Sequence, residues 1–83
     1  MENTGKRIAN ISIVVKDRDE AAKVNEILGK HGDIIRGRLG IPCPDLSVSV
    51  IIVLVEADNS KISAISGAVG NIPGVSLRST ILL

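Results

Sequence analysis

Six consecutive apolar residues, Val50-Ile51-Ile52-Val53-Leu54-Val55, constrain this chain more than any other stretch. They follow the alternation Leu46-Ser47-Val48-Ser49 and end at Glu56-Ala57. Alternation marks a strand with one wet face, whereas an unbroken run marks a strand covered on both faces. The run is far shorter than the roughly 20 apolar residues that cross a bilayer. It therefore reads as the central strand of a small sheet, with helices on one side and another cover on the other.

The chain has 83 residues, enough for one domain with a core that is only just sufficient. No Phe, Tyr or Trp is present, so the core is built from Ile, Val, Leu and Ala. A formal net charge of +1 with scattered basic residues, and no aromatic ring to stack on a base, argues against direct nucleic-acid binding. A single cysteine excludes an internal disulfide and a CxxC pair. The opening Met1-Glu2-Asn3-Thr4-Gly5 is polar, without the apolar core of a secretory leader. Residues 1–6 are expected to be flexible, ahead of one domain over 7–83. A cytoplasmic setting without membrane contact is the expectation.

Arg7 to Lys16 alternates, with Ala9, Ile11, Ile13 and Val15 on one face and Ile8, Asn10, Ser12 and Val14 on the other. Asp17, with Glu20 three residues on, resembles a capping box and opens a helix. Ala21, Val24, Ile27, Leu28 and His31 share a face of that helix, and Gly32 is expected to end it in the left-handed conformation. Ile34 to Ile41 reads as strand two and Pro42-Cys43-Pro44-Asp45 as a stiff connection into strand three. Asp58-Asn59-Ser60 offers N-caps for a second helix in which Ile62, Ile65, Ser66 and Val69 share a face and which stops at Gly70. Pro73-Gly74 turns into a last strand, Val75 to about Leu82, with Val75, Leu77 and Ile81 on one face.

The order is βαββαβ. Right-handed crossovers place both helices on one face of a four-stranded antiparallel sheet, with strands one and three in the centre. The fold class is α+β, ferredoxin-like. In this reading Val48, Val50, Ile52 and Leu54 meet the helices, while Ile51, Val53 and Val55 join Val14 on the helix-free side. Exposing them would leave an apolar patch of several hundred Å2, unusual for a monomer. Covering it contributes on the order of 10 kcal/mol gross, before the costs of association. The expectation is a homo-oligomer, a dimer or tetramer, with Val14, Ile51, Val53 and Val55 at the interface.

Three segments carry a family resemblance. Gly37-Arg38-Leu39-Gly40-Ile41-Pro42 leads into the apolar strand, Ile65-Ser66-Gly67-Ala68-Val69-Gly70 ends the second helix, and Ile72-Pro73-Gly74-Val75 begins the last strand. With them the chain, from about Ile8 to Thr80, resembles the small proteins described as regulators of the iron-only hydrogenase system. These are related to the C-terminal domain of nickel-responsive repressors. The resemblance implies an ACT-like fold, oligomerisation and a regulatory role. It departs from ACT effector sites in having Asp17-Arg18-Asp19 where a glycine-bearing loop is usual. It departs from the nickel repressors in having one histidine and one cysteine where they use several histidines and a cysteine. With so few residues ahead of strand one, a ribbon-helix-helix segment is not expected, and action on transcription would need a DNA-binding partner.

His31 and Cys43 are the only soft metal ligands, and one protomer cannot complete a tetrahedral site from them. The simpler readings are a half-buried histidine at a helix C-terminus and a small loop residue, so no metal or cofactor is expected. Arg36, Arg38 and Arg78 are placed opposite the core, where guanidinium groups either hold an anion, pair with acids across an interface, or stay solvated at sheet edges. Gly37 and Gly40 permit close approach by a ligand or strand, or mark a bulge. The single histidine has no evident nucleophile partner, so catalysis is not expected. The leading reading is a regulatory module that binds a small ligand at a subunit interface through Arg36, Arg38, Gly40, Pro42 and Cys43. The alternative is a protein-interaction module without a ligand, its open face serving a protein partner.

Overall fold

The computed structural model describes residues 5–83, so the flexibility expected for residues 1–6 falls largely on residues 1–4, which lie outside them. Four strands form one sheet in the order β2-β3-β1-β4: β1 Arg7–Val15, β2 Ile35–Cys43, β3 Val48–Ala57 and β4 Val75–Ile81. All neighbours are antiparallel, and the two central strands are β1 and β3. Two helices, α1 Ala21–Lys30 and α2 Asn59–Gly70, lie between β1 and β2 and between β3 and β4. This is the ferredoxin-like arrangement.

Each helix begins where a carboxylate meets free N–H groups. Asp17 accepts from the Asp19 N–H at 3.0 Å and starts a single 3-10 turn, Arg18–Glu20, that leads into α1. The reciprocal half of a capping box does not form, because Glu20 turns to Lys23 Nζ at 3.1 Å. Asp58 caps α2 by accepting from the Lys61 N–H at 2.9 Å. Gly32 is not left-handed; positive φ occurs among the described residues only at Gly5, Gly74 and Ser47. Helix α1 instead closes through the His31 and Gly32 N–H groups, which donate to the Leu28 and Gly29 carbonyls.

The core joins Ala9, Ile11, Ile13 and Val15 of β1 to Ile51, Val53, Val55 and Ala57 of β3, under Val24, Leu28, Ile62, Ile65 and Val69 of the helices. This corrects the face expected for strand three. Directly opposed residues of an antiparallel pair point to the same side, and Ile13 faces Ile51, Ile11 faces Val53 and Ala9 faces Val55. Ile51, Val53 and Val55 are therefore in the monomer core, so they cannot form an interface on the open face. Val48, Val50, Ile52 and Leu54 occupy that face together with Val14, which opposes Val50.

Strand β2 runs two residues further than expected, taking in Pro42 and Cys43, and a 3-10 turn at Pro44–Leu46 replaces the longer connection. A bulge between Ile35 and Gly37 reverses the alternation at its start. Gly37, Leu39, Ile41 and Cys43 consequently stand on the open face, opposite Leu54, Ile52, Val50 and Val48.

Candidate functional site

Two surfaces combine reactive or adhesive chemistry, and they meet at Val48. The first is the open sheet face. Leu39 and Ile41 are 55% and 42% exposed and lie beside Leu54 at 38%, so a row of branched side chains meets water across β2 and β3. Half-buried Val50, Ile52 and Val14 extend the row towards β1, where Asn10 and Ser12 interrupt it. Arg78, Ser76 and Thr80 of β4 form the polar margin on that side. Hydrophobic centre and polar rim is the composition of a protein contact surface.

The second is a cavity of about 380 Å3 at the end of the sheet where β1 gives way to the Arg18–Glu20 turn. Val15, Ala21, Val48, Pro42 and Pro44 supply its apolar wall; Ser47, Ser49 and Arg18 supply polar groups. The local chain explains the opening. Pro44 starts the 3-10 turn, and Ser47 closes it in the left-handed region at φ 55°, its N–H donating to the Pro44 carbonyl at 3.0 Å. Pro44 and Ser47, at the two ends of this turn, both line the opening. Among the described residues Arg18 forms no ion pair, which leaves its guanidinium available at the rim. The volume is in the range of small-molecule sites, about 300–1,000 Å3.

The five residues expected to hold a ligand do not converge. Arg36 turns to Glu56, Nε to Oε1 at 3.1 Å, and donates from Nη1 to the Asp33 carbonyl at 3.2 Å. Arg38 lies on the helix side, opposite Val53, and donates to Asn25 Oδ1 of α1. Its expected position opposite the core is corrected by the bulge, which shifts the alternation by one residue. Gly40 shares the helix side, opposite Ile51, whereas Cys43 stands on the open face as a half-buried free thiol. Only Pro42 of the five lines the cavity. Arg18 was not among the residues expected to hold a ligand; its signal was a cation in the loop after strand one with acids on both sides.

His31 is half-buried at the end of α1, away from the open face that carries Cys43. Among the described residues no three His, Cys, Asp or Glu side chains gather in a way that could hold a metal ion. No helix among them is long and apolar enough to cross a membrane.

Residues 7–79 match the model of the TM1266-like family, described as "Iron-only hydrogenase system regulator, putative". The chain belongs to this family. Among solved structures, the uncharacterized protein TM1266 of Thermotoga maritima is similar at 35% identity and a TM-score of 0.89. The alignment covers 94% of this chain and 99% of that one. The C-terminal domain of the MgtC protein from Mycobacterium tuberculosis shares the fold at a TM-score of 0.73. At 13% identity, over 99% of this chain and 94% of that domain, the likeness extends to the fold alone. No curated protein matches the chain. The family's description names a regulator of that system, and the ligand and the assembly have to be argued from this chain's own surfaces.

Proposed function

We propose that this TM1266-like protein is a non-enzymatic, cytoplasmic regulatory module of an iron-only hydrogenase system, working as an oligomer stacked through its open sheet faces. In this reading the cavity at Arg18 takes a small carboxylate-bearing effector. The observation that carries it is the position of Val48, which belongs both to the apolar open face and to the wall of the cavity. A copy stacked on the open face covers Leu39, Ile41 and Leu54 and also narrows the mouth of the cavity. Ligand occupancy and assembly are then coupled, since a ligand favouring one arrangement shifts the population towards it.

The chemistry of the wall sets the ligand class. An unpaired guanidinium recognises a carboxylate or phosphate, and Ser47 and Ser49 add hydroxyl groups that donate to the same anion. Val15, Ala21 and Pro44 suit a short aliphatic body. The expectation that Arg36 and Arg38 hold the anion is replaced by Arg18, because both already bond within the chain. Pro42 stays in the proposed site.

Thermal-shift measurements with amino acids and short carboxylates test the ligand, with wild type and Arg18→Gln compared. A ligand at 100 times its Kd stabilises the folded state by about 2.7 kcal/mol. The reading requires such a shift in wild type and its loss in Arg18→Gln. A flat response across the whole set contradicts the effector role and favours a module that binds only protein.

A further inference from the structure

The two edges of the sheet are not equivalent. The Leu82 N–H donates to the Ile8 carbonyl at 2.7 Å, and the Lys16 N–H to the Gly74 carbonyl at 2.7 Å. Even-numbered residues of β1 therefore bond to β4 and odd-numbered ones to β3, since successive residues of a strand direct their backbone groups to opposite sides. Carried across the registers, the alternation leaves Leu77, Ser79 and Ile81 of β4 with N–H and C=O groups aimed outward, while the Val75 N–H at the start of the strand already donates to the Ile72 carbonyl at 3.2 Å. On β2 the outward set is Arg38, Gly40 and Pro42.

Strand β2 is a blunted edge. Pro42 has no N–H to offer, the bulge at Arg36 breaks the ladder, and two arginines add charge, all of which oppose pairing with another strand. Strand β4 has none of these devices. Its register with β1 is unbroken from Val75 to Ile81, it contains no proline or glycine, and Arg78 is its single charge. One edge is closed to further strands and the other is intact.

We propose that β4 pairs antiparallel with β4 of a second copy about a two-fold axis at Ser79, joining the two sheets into one. Side-chain matching favours a copy of the same chain and, among axes at Leu77, Arg78 and Ser79, selects Ser79. An axis at Arg78 sets two guanidinium groups directly opposite each other, which is destabilising. An axis at Leu77 sets Ile81 against Pro73, outside the strand. An axis at Ser79 puts Leu77 against Ile81 on the helix side and Arg78 against Thr80 on the other. It covers Ile81, which is 42% exposed in the monomer. Helix α2, which packs on β4, exposes Ser63, Ala64, Gly67 and Ala68 beyond its first turn, where Lys61 is the one long exposed side chain. The pairing is isologous and uses up both intact edges, so it closes at two copies and does not grow into a fibre. It does not rest on stacking through the open face. With that stacking it gives a tetramer.

Cysteine cross-linking tests it, with Cys43→Ser removing the native thiol. Ser79→Cys sets two thiols opposite each other at the axis, within reach of a short bis-maleimide linker. Ser76→Cys serves as control, because in this register its two copies are offset by six residues, roughly 20 Å along the strands. The proposal expects a covalent dimer from Ser79→Cys at least tenfold faster than from Ser76→Cys. The same ratio is expected when Ile41→Glu is added to disable the open face, which separates edge pairing from stacking. Equal rates for the two cysteines, or no dimer from Ser79→Cys, overturns the proposal.

Discussion

Gly74 holds a left-handed φ of +75° directly against Asp17: a Cβ at residue 74 would stand 3.0 Å from the Asp17 Cβ. The Gly74 carbonyl also accepts from the Lys16 N–H at 2.7 Å. The entry to β4 is thus fastened to the turn that follows β1, beside the cavity. Gly74→Ala must adopt an unfavourable φ and displace Asp17, at a cost of about 1–3 kcal/mol. Urea unfolding should show a lower midpoint at unchanged slope; an unchanged midpoint would mean that the turn relaxes freely.

Ile13 and Leu39 separate the two faces of the sheet. Ile13 is fully buried beneath the helices. Ile13→Ala should cost about 2–5 kcal/mol. Leu39→Ala, on the open face, should change monomer stability by about 0.5 kcal/mol or less when measured in dilute solution. Equal losses at the two positions would return the helices to the wrong side.

Asp58 caps α2 and gives the fold a mild acid sensitivity. The Lys61 N–H bonded to its carboxylate holds its pKa below the ordinary 3.8, against the opposing effect of desolvation. A group whose pKa is depressed on folding stabilises fully above the unfolded value, and that contribution disappears as pH falls through the folded pKa. Asp58→Ala should therefore lower Tm at pH 7, and the gap from wild type should close below pH 3.8. A gap that stays constant down to pH 2 would show that the carboxylate does not act as the cap.

The fold was legible because its punctuation is local: Asp17 and Asp58 open helices, and Gly74 turns the chain into β4. The buried face of β1 was legible as well, because Asn10 and Ser12 mark its other side. Strand three carries no such marker inside Val50–Val55. Ser47 and Ser49 point to the wrong answer, since they line the cavity where β3 runs past the helices and do not mark the outer face. Only pairing with β1 decides the matter, and pairing is a long-range fact. The bulge at Arg36 is equally silent in sequence, yet it sends Arg36 to Glu56 and Arg38 to Asn25 and so dissolves the expected arginine site.

In the proposed reading, Arg18 and Val48 couple ligand binding to assembly. If stacking narrows the cavity, Val48→Asp should weaken assembly and also remove the ligand-induced thermal shift. Loss of assembly with an undiminished shift would separate the two functions.

The central claim is that Leu39, Ile41 and Leu54 are covered by a second copy of this chain. Light scattering coupled to size-exclusion chromatography at tens of micromolar tests it most directly, comparing wild type with Leu39→Glu/Ile41→Glu. The account predicts a wild-type mass at least twice that of the chain, a smaller mass for the variant, and cooperative thermal unfolding in both. A monomeric wild type at that concentration would contradict it.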